Sequence, residues 1–216
     1  MSTAGGKYQE EFAYRFDPAA EVEDPMLREV IAGMERPQIS ILDVGAGPAS
    51  TVGHRCDGTA VEVVAVDPLA DSYNELLDQA GLVPPVRTET LEGERLVERF
   101  GPDRFDIAYS RNALDHAVDP VLIVEQMVAV VRPGGHVMLR HARNEAVHQD
   151  YVQLHQWNFD ERHGAFIVWR AEEETNITER LAGLAAVACR RDLAEDEDPS
   201  EEEFGWILCV ISKPAE

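Results

Sequence analysis

Residues 39–50 read ISILDVGAGPAS, an apolar run that passes straight into glycines. From Ile39 to Val44 only Ser40 and Asp43 are polar, as expected of a parallel strand covered on both faces. Gly45 and Gly47 follow at once; lacking a β-carbon, they let the backbone turn and approach a ligand closely. A dinucleotide fingerprint would place a third glycine at position 50, which is Ser50. It also gives no role to an acidic residue before the first glycine, so a nicotinamide-dependent oxidoreductase ranks last among the readings.

Outward from this turn the chain alternates strands and helices. Pro25 opens a helix over Met26–Met34, and a short aromatic-bearing segment at residues 8–16 precedes it. Downstream, Val61–Val66 is a β-branched strand ending at Asp67 and Pro68, followed by a helix Ala70–Ala80 that Gly81 stops. A strand near Val86–Thr90, a helix around Glu94–Phe100, a strand Phe105–Ser110, a helix Pro120–Val131 and a strand His136–Leu139 continue the rhythm. Such alternation predicts a doubly wound, mostly parallel α/β sheet with ligand sites at the carboxyl ends of the strands. Beyond Arg140 the rhythm loosens into a His-rich polar stretch to Asp160, an apolar Ala165–Trp169, a helix from about Thr178 to Val187 and a final strand Gly205–Ser212. Residues 143–170 read as an insertion, and the acidic stretch Asp192–Glu203 as a solvated loop.

The 216 residues suit one domain with one core. Hydrophobic residues at 44% and charged residues at 28% are those of a globular chain. The net charge of -22 repels phosphate backbones and anionic lipid, so neither nucleic acid nor membrane is an expected partner. Cys56, Cys189 and Cys209 have no paired spacing that suggests zinc or a redox couple. With no apolar run behind basic residues at the N-terminus, the expectation is a cytoplasmic protein without signal or anchor. A homodimer is compatible with the sequence.

Four segments resemble class I S-adenosylmethionine-dependent methyltransferases, in the family's order. ILDVGAGPAS at 41–50 is similar to the first motif, VAVDP at 64–68 to the second-strand motif, FDIAYSRNALDHAVDP at 105–120 to the fourth-strand segment, and VVRPGGHVML at 130–139 to the helix, turn and fifth strand. Pro48 and Ala49 depart from the pattern, where the family often has another glycine. The resemblance implies a Rossmann-like, seven-stranded sheet with an insertion after the fifth strand, a helical cap at residues 1–36 and the methyltransferase domain at 37–216.

It further implies S-adenosylmethionine as the cofactor. Gly45, Ala46 and Gly47 would pack on its amino-acid portion, and Asp43 would orient that loop or the cofactor amine. Asp67, with Pro68 beside it, would accept the ribose hydroxyls, a logic shared with dinucleotide ribose; the other reading of Asp67 is a helix N-cap. Glu89 and Thr90 match the place that faces the adenine amine. Ser110, Arg111 and Asn112 leave the fourth strand where cofactor and substrate meet, Asn112 toward the methionine part, whereas Leu114 packs.

Methyl transfer needs positioning above all, and a general base only where the acceptor must lose a proton. The candidate catalytic residues are His116 and Asp115, nearest the expected methyl position, and His155 as a second base. The family's equivalent of His116 is often structural, which stands beside the catalytic reading. His141, His148 and His155 recur at a spacing of seven that could form one helical stripe, but match no metal-ligand spacing closely, so no metal is expected. Trp157, Phe166 and Trp169 either line an acceptor pocket or close the core. The resulting expectation is methylation of a small molecule, at oxygen on a sugar or natural-product scaffold. The alternative is a cofactor-binding assembly partner that keeps the fold without turnover.

Overall fold

The computed structural model describes residues 13–192 and 205–215, and the chain divides into two compact units, residues 1–92 and 93–216. The first unit opens with helix α1 (Pro25–Gly33). The Asp24 carboxylate accepts from the N–H groups of Met26 at 3.0 Å and Leu27 at 3.1 Å, and Pro25 supplies the fixed first turn. Strand β1 (Gln38–Val44) follows, then a tight hairpin of β2 (Arg55–Cys56) and β3 (Thr59–Asp67). Asp57 and Gly58 turn that hairpin with φ of 48° and 91°, the pair of positive values that a two-residue Asp-Gly loop supplies. β1 and β3 run parallel, from Gln38 opposite Ala60 to Val44 opposite Val66. Helix α2 (Ala70–Ala80) ends on Gly81 at φ 67°, and β4 (Glu89–Thr90) adds parallel to the end of β3. The chain before α1 is stitched to this sheet: the Val22 N–H donates to Arg55 O and the His54 N–H to Ala20 O.

In the second unit a 3-10 turn (Gly93–Arg95) leads into helix α3 (Leu96–Phe100) and strand β5 (Phe105–Arg111), buried at every position except Arg111. Helix α4 (Pro120–Val130) is capped by Asp119, which accepts from the Leu122 N–H at 2.9 Å. Strand β6 (Val131–Ala142) pairs parallel with β5. Helix α5 (Glu145–His148), strands β7 (Asn158–Arg162), β8 (Ala165–Arg170) and β9 (Glu173–Asn176), helix α6 (Ile177–Arg180) and strands β10 (Ala186–Asp192) and β11 (Trp206–Ser212) complete the unit. β11 pairs antiparallel with both β6 and β10, while β7, β8 and β9 form a separate antiparallel sheet. No helix among the described residues is long and apolar enough to cross a membrane.

The mixed α/β, Rossmann-like expectation holds, with corrections in detail. Instead of seven sheet strands, the described residues give β1–β4 in the first unit and β5, β6, β10 and β11 in the second, plus the three-stranded sheet. The strands not read from the sequence are the two-residue piece β2, β7 and β9 of the separate sheet, and β10. The helix expected over 178–187 is cut short: α6 stops at Arg180, residues 181–184 turn with Gly183 at φ 82°, and only from Ala186 does the chain extend and pair with β11. Pairing along a whole strand has overridden a local helical pattern. The His-rich stretch hides β7, and the sheet that β7 opens runs past residue 170 to Asn176. Residues 8–12 and 193–203, parts of the aromatic segment and the acidic loop, lie outside the described residues.

Candidate functional site

In the first unit the glycine turn is pinned from several sides. The Gly45 and Ala46 N–H groups both donate to Val66 O, at 2.9 and 3.1 Å, which ties the turn to the end of β3. The Gly47 N–H donates to Asp67 Oδ2 at 3.0 Å, and the Gly47 carbonyl accepts the Thr88 hydroxyl at 2.9 Å. Asn74 on α2 in turn donates to Thr88 O at 3.0 Å. Gly45 and Gly47 sit at φ 75° and 64°, a region costly for residues with a β-carbon. A β-carbon on Gly47 would meet nothing within 4 Å, so open space lies beside the loop.

Asp43 is 2% exposed and its Oδ2 accepts the Ser50 hydroxyl at 2.7 Å, while Ser50 Oγ accepts from the Val52 N–H at 3.0 Å. Asp43 is thus tied through Ser50 to the loop that follows β1. Asp67 is half-buried; besides Gly47 it accepts the Leu69 N–H on Oδ1 at 2.8 Å. That contact, two residues on, is an Asx turn, and it leaves room for more bonds, since a carboxylate offers about four lone-pair sites. Pro68 lies within this turn. Glu89 and Thr90 are both exposed, and the Thr90 hydroxyl donates to Asp71 at 2.6 Å. Thr88, 3% exposed, is the loop-holding residue that the sequence reading passed over; its only signal was its place in a weak strand pattern.

These residues suit S-adenosylmethionine. Gly47, at positive φ, stands beside open space, and Asp67 keeps acceptor capacity, as the roles expected of them would require.

In the second unit, β5 ends in Ser110, fully buried, and Arg111, exposed. Asn112 follows at φ 50°; its N–H donates to Arg140 O and its Oδ1 accepts the Ala142 N–H at 2.9 Å. Asn112 therefore fastens this turn to the end of β6. A 3-10 turn, Leu114–His116, comes next, with Leu114 buried as expected.

Here the three candidate catalytic residues meet. His155 Nδ1 lies 2.7 Å from Asp115 Oδ2 and 3.1 Å from His116 Nε2, and His116 Nε2 lies 3.3 Å from Asp115 Oδ2. The two imidazoles are edge to face, centroids 4.5 Å apart. Their side-chain exposures grade from 5% for Asp115 through 27% for His155 to 37% for His116. The Asp115 carbonyl accepts the Gln156 and Trp157 N–H groups at 3.0 and 3.2 Å, and Trp157 Nε1 donates to Ala117 O at 3.0 Å. The two segments that carry the trio are thereby sewn together.

His141 has another fate. It is 1% exposed on β6, against Phe159 at 4.6 Å between centroids, and neither ring nitrogen has a hydrogen-bond partner. Burial pushes its pKa down to about 4, with Asp115 acting upward and His116 downward. The expected stripe of His141, His148 and His155 does not form, because the three lie on a strand, at the end of α5 and in a loop. Trp157 and Phe166 are buried and so close the core, while half-buried Trp169 donates to Asn144 Oδ1 at 3.1 Å. Asp160, also buried, is gripped by Arg143 at 2.6 Å and Arg162 at 3.0 Å. Burial alone would raise its carboxyl, but these hydrogen bonds and the charges of Arg143 and Arg191 hold it below the usual range.

Comparison with known proteins agrees with this architecture. The methyltransferase domain family matches residues 13–181. An uncharacterized methyltransferase of Schizosaccharomyces pombe is 36% identical over 114 residues, covering 47% of this chain and 39% of that protein, so the chain spans well under half the length of that curated relative. Among solved structures, the YcgJ protein of Bacillus subtilis superposes with a TM-score of 0.53 at 15% identity, covering 87% of this chain and 97% of that one. A chain of the complex between the Haloferax volcanii Trm112 methyltransferase activator and the putative methyltransferase gives 0.54 at 16% identity, covering 99% and 96%. At such identities the structures speak for the fold, and the family match speaks for membership. The chain belongs to the methyltransferase domain family, on a Rossmann-like fold.

Proposed function

We infer that the protein methylates a small-molecule acceptor at oxygen, a hydroxyl on a sugar or natural-product scaffold, with S-adenosylmethionine as donor. The observation that carries the choice of oxygen is the contact triangle of Asp115, His116 and His155. A hydroxyl must lose its proton on methylation, and a histidine near its neutral pKa is the commonest group to take one. His116, the most exposed of the three, receives the proton; Asp115 and His155 share and stabilise the resulting charge.

The cofactor, when bound, supplies an electrophilic methyl group on a sulfonium. Gly45, Ala46 and Gly47 provide the surface for its amino-acid end and Asp67 the acceptor for its ribose, while Glu89 and Thr90 stand at the adenine edge. Ser110, Arg111 and Asn112 belong to the segment that serves both cofactor and acceptor. In the same reading residues 37–216 are the methyltransferase domain, residues 1–36 a helical cap and residues 143–170 an insertion serving the acceptor. The net charge of -22 disfavours an RNA or DNA acceptor.

The test is calorimetry with S-adenosylmethionine, S-adenosylhomocysteine and NADH, followed by release of S-adenosylhomocysteine in the presence of hydroxylated acceptors. Micromolar binding of the first two, none of NADH, and release that depends on a hydroxyl are expected. Binding without turnover on any acceptor would return the assembly-partner reading, and binding of NADH alone would refute both.

A further inference from the structure

We propose that Asp115, His116 and His155 form a site for a divalent transition-metal ion, zinc being the type case. The three atoms that converge are Asp115 Oδ2, His116 Nε2 and His155 Nδ1, and they lie pairwise 2.7, 3.1 and 3.3 Å apart. With the carboxylate ionised, its contacts with both imidazoles call for a proton on each nitrogen, and then two N–H groups face one another across the 3.1 Å edge. A proton shared with the carboxyl relieves that conflict, and so does one cation at the centre, which takes all three lone pairs together.

Two edges of the triangle, 3.1 and 3.3 Å, agree in size, and the third, 2.7 Å, would have to open slightly. Zinc binds imidazole nitrogen at about 2.0–2.1 Å and carboxylate oxygen at about 2.0–2.2 Å, which separates ligand atoms by roughly 2.9–3.4 Å for angles between octahedral and tetrahedral. Two imidazoles and one carboxylate suit zinc, manganese, iron or cobalt better than magnesium or calcium, and three protein ligands leave a position open. The scaffold is set before any ion arrives: Asp115 is buried, and the backbone and Trp157 hydrogen bonds fix one ligand-bearing segment against the other. Sequence spacing could not reveal the set, since His155 lies 40 residues from Asp115.

The site stands on geometry alone; its role rests on the O-methylation reading and sharpens it. The open position takes the acceptor hydroxyl, whose pKa the ion lowers as a Lewis acid. With the ion bound, His116 would be a ligand in place of the proton acceptor, and the hydroxyl proton would leave to water as the methyl group passes from the sulfonium to the oxygen.

Cobalt(II) is the probe. Chelator-treated full-length protein is titrated with cobalt, followed by visible absorption and by calorimetry, with S-adenosylmethionine binding measured separately. One equivalent should bind and give ligand-field bands, and His116→Gln and His155→Gln should each weaken binding about tenfold or more, while His148→Ala leaves it unchanged. Asp115→Asn should do the same if it folds; the two histidine variants, at more exposed positions, decide the matter if it does not. No cobalt binding, or binding that survives both histidine substitutions, overturns the site. Cofactor binding without cobalt binding overturns the site while sparing the methyltransferase reading, and cobalt binding without cofactor binding does the reverse.

Discussion

His141 carries the sharpest quantitative consequence of the fold. Its ring is buried with no partner for either nitrogen, and its pKa falls from 6.5 to about 4, with burial the largest cause. In the unfolded chain the ring protonates near 6.5, whereas the folded protein resists protonation until about 4. Between those values the unfolded state binds more protons, so stability falls as pH falls, and the loss saturates below the folded pKa. At about 1.4 kcal/mol per pKa unit, the full loss is roughly 3 kcal/mol, of which about 2 kcal/mol is felt at pH 5. The perturbation is His141→Leu, which removes the titrating ring and keeps an apolar side chain beside Phe159. Urea unfolding of both proteins at pH 7 and pH 5 gives a double difference in which the other titrating groups largely cancel. The wild type should lose about 2 kcal/mol more than the variant on acidification, a gap of roughly 4–8 °C in melting temperature for a chain of this size. Equal losses in the two proteins would refute the claim that this imidazole is buried uncharged.

Gly47→Ala separates stability from ligand binding: its β-carbon meets nothing, so only the left-handed backbone is penalised, by about 1–2 kcal/mol, yet the methyl group enters the space offered to the cofactor. A melting point down by a few degrees with at least a tenfold loss of S-adenosylmethionine affinity by calorimetry is the expected pair of results. Asp67→Ala strips acceptors from the Gly47 and Leu69 N–H groups and should lower stability by about 1–3 kcal/mol while also weakening cofactor binding; unchanged affinity would remove Asp67 from the ribose. Gly53→Ala should be severe for a single methyl group, because its β-carbon would lie 2.5 Å from Glu21 C and 2.6 Å from Val22 N. Overpacking of this kind costs about 1–3 kcal/mol, and proteolysis near residues 20–22 should quicken as the ladder between that segment and β2 opens.

What could be read from the sequence was local. The glycine turn, Asp43 and Asp67 sit within or just after strands whose apolar runs mark them, so their positions at the ends of β1 and β3 were legible. Asp115 and His116 were legible as candidates for the same reason. Their contact with His155 was not, because it depends on how the chain returns from α5 to β7, and three residues there, Asp150, Tyr151 and Gln153, take positive φ. No pattern of residue types announces such a path. Likewise Thr178–Val187 carries apolar spacing that suits a helix, and only the partner strand β11 decides that Ala186–Asp192 is extended. Cys189 and Cys209, unrelated in sequence, turn out to face one another in that ladder.

The two readings of Asp67, ribose acceptor and local cap, are not rivals once its geometry is known. One oxygen is engaged by the Gly47 N–H and the other by the Leu69 N–H, which consumes about two of four lone-pair sites and leaves about as many as a ribose diol requires. Those backbone bonds also fix the carboxylate plane, so the remaining lone pairs point in set directions before any ligand arrives. Thr88 closes the arrangement by holding the Gly47 carbonyl while Asn74 holds Thr88. The peptide of Gly47 is therefore anchored through both its N–H and its C=O to the ends of β3 and β4, and a change in Asp67 acts on the shape of the glycine turn as well as on the charge offered to a ligand. A carboxylate in this position serves as binding group and loop strut at once, which is why its replacement should cost stability and affinity together.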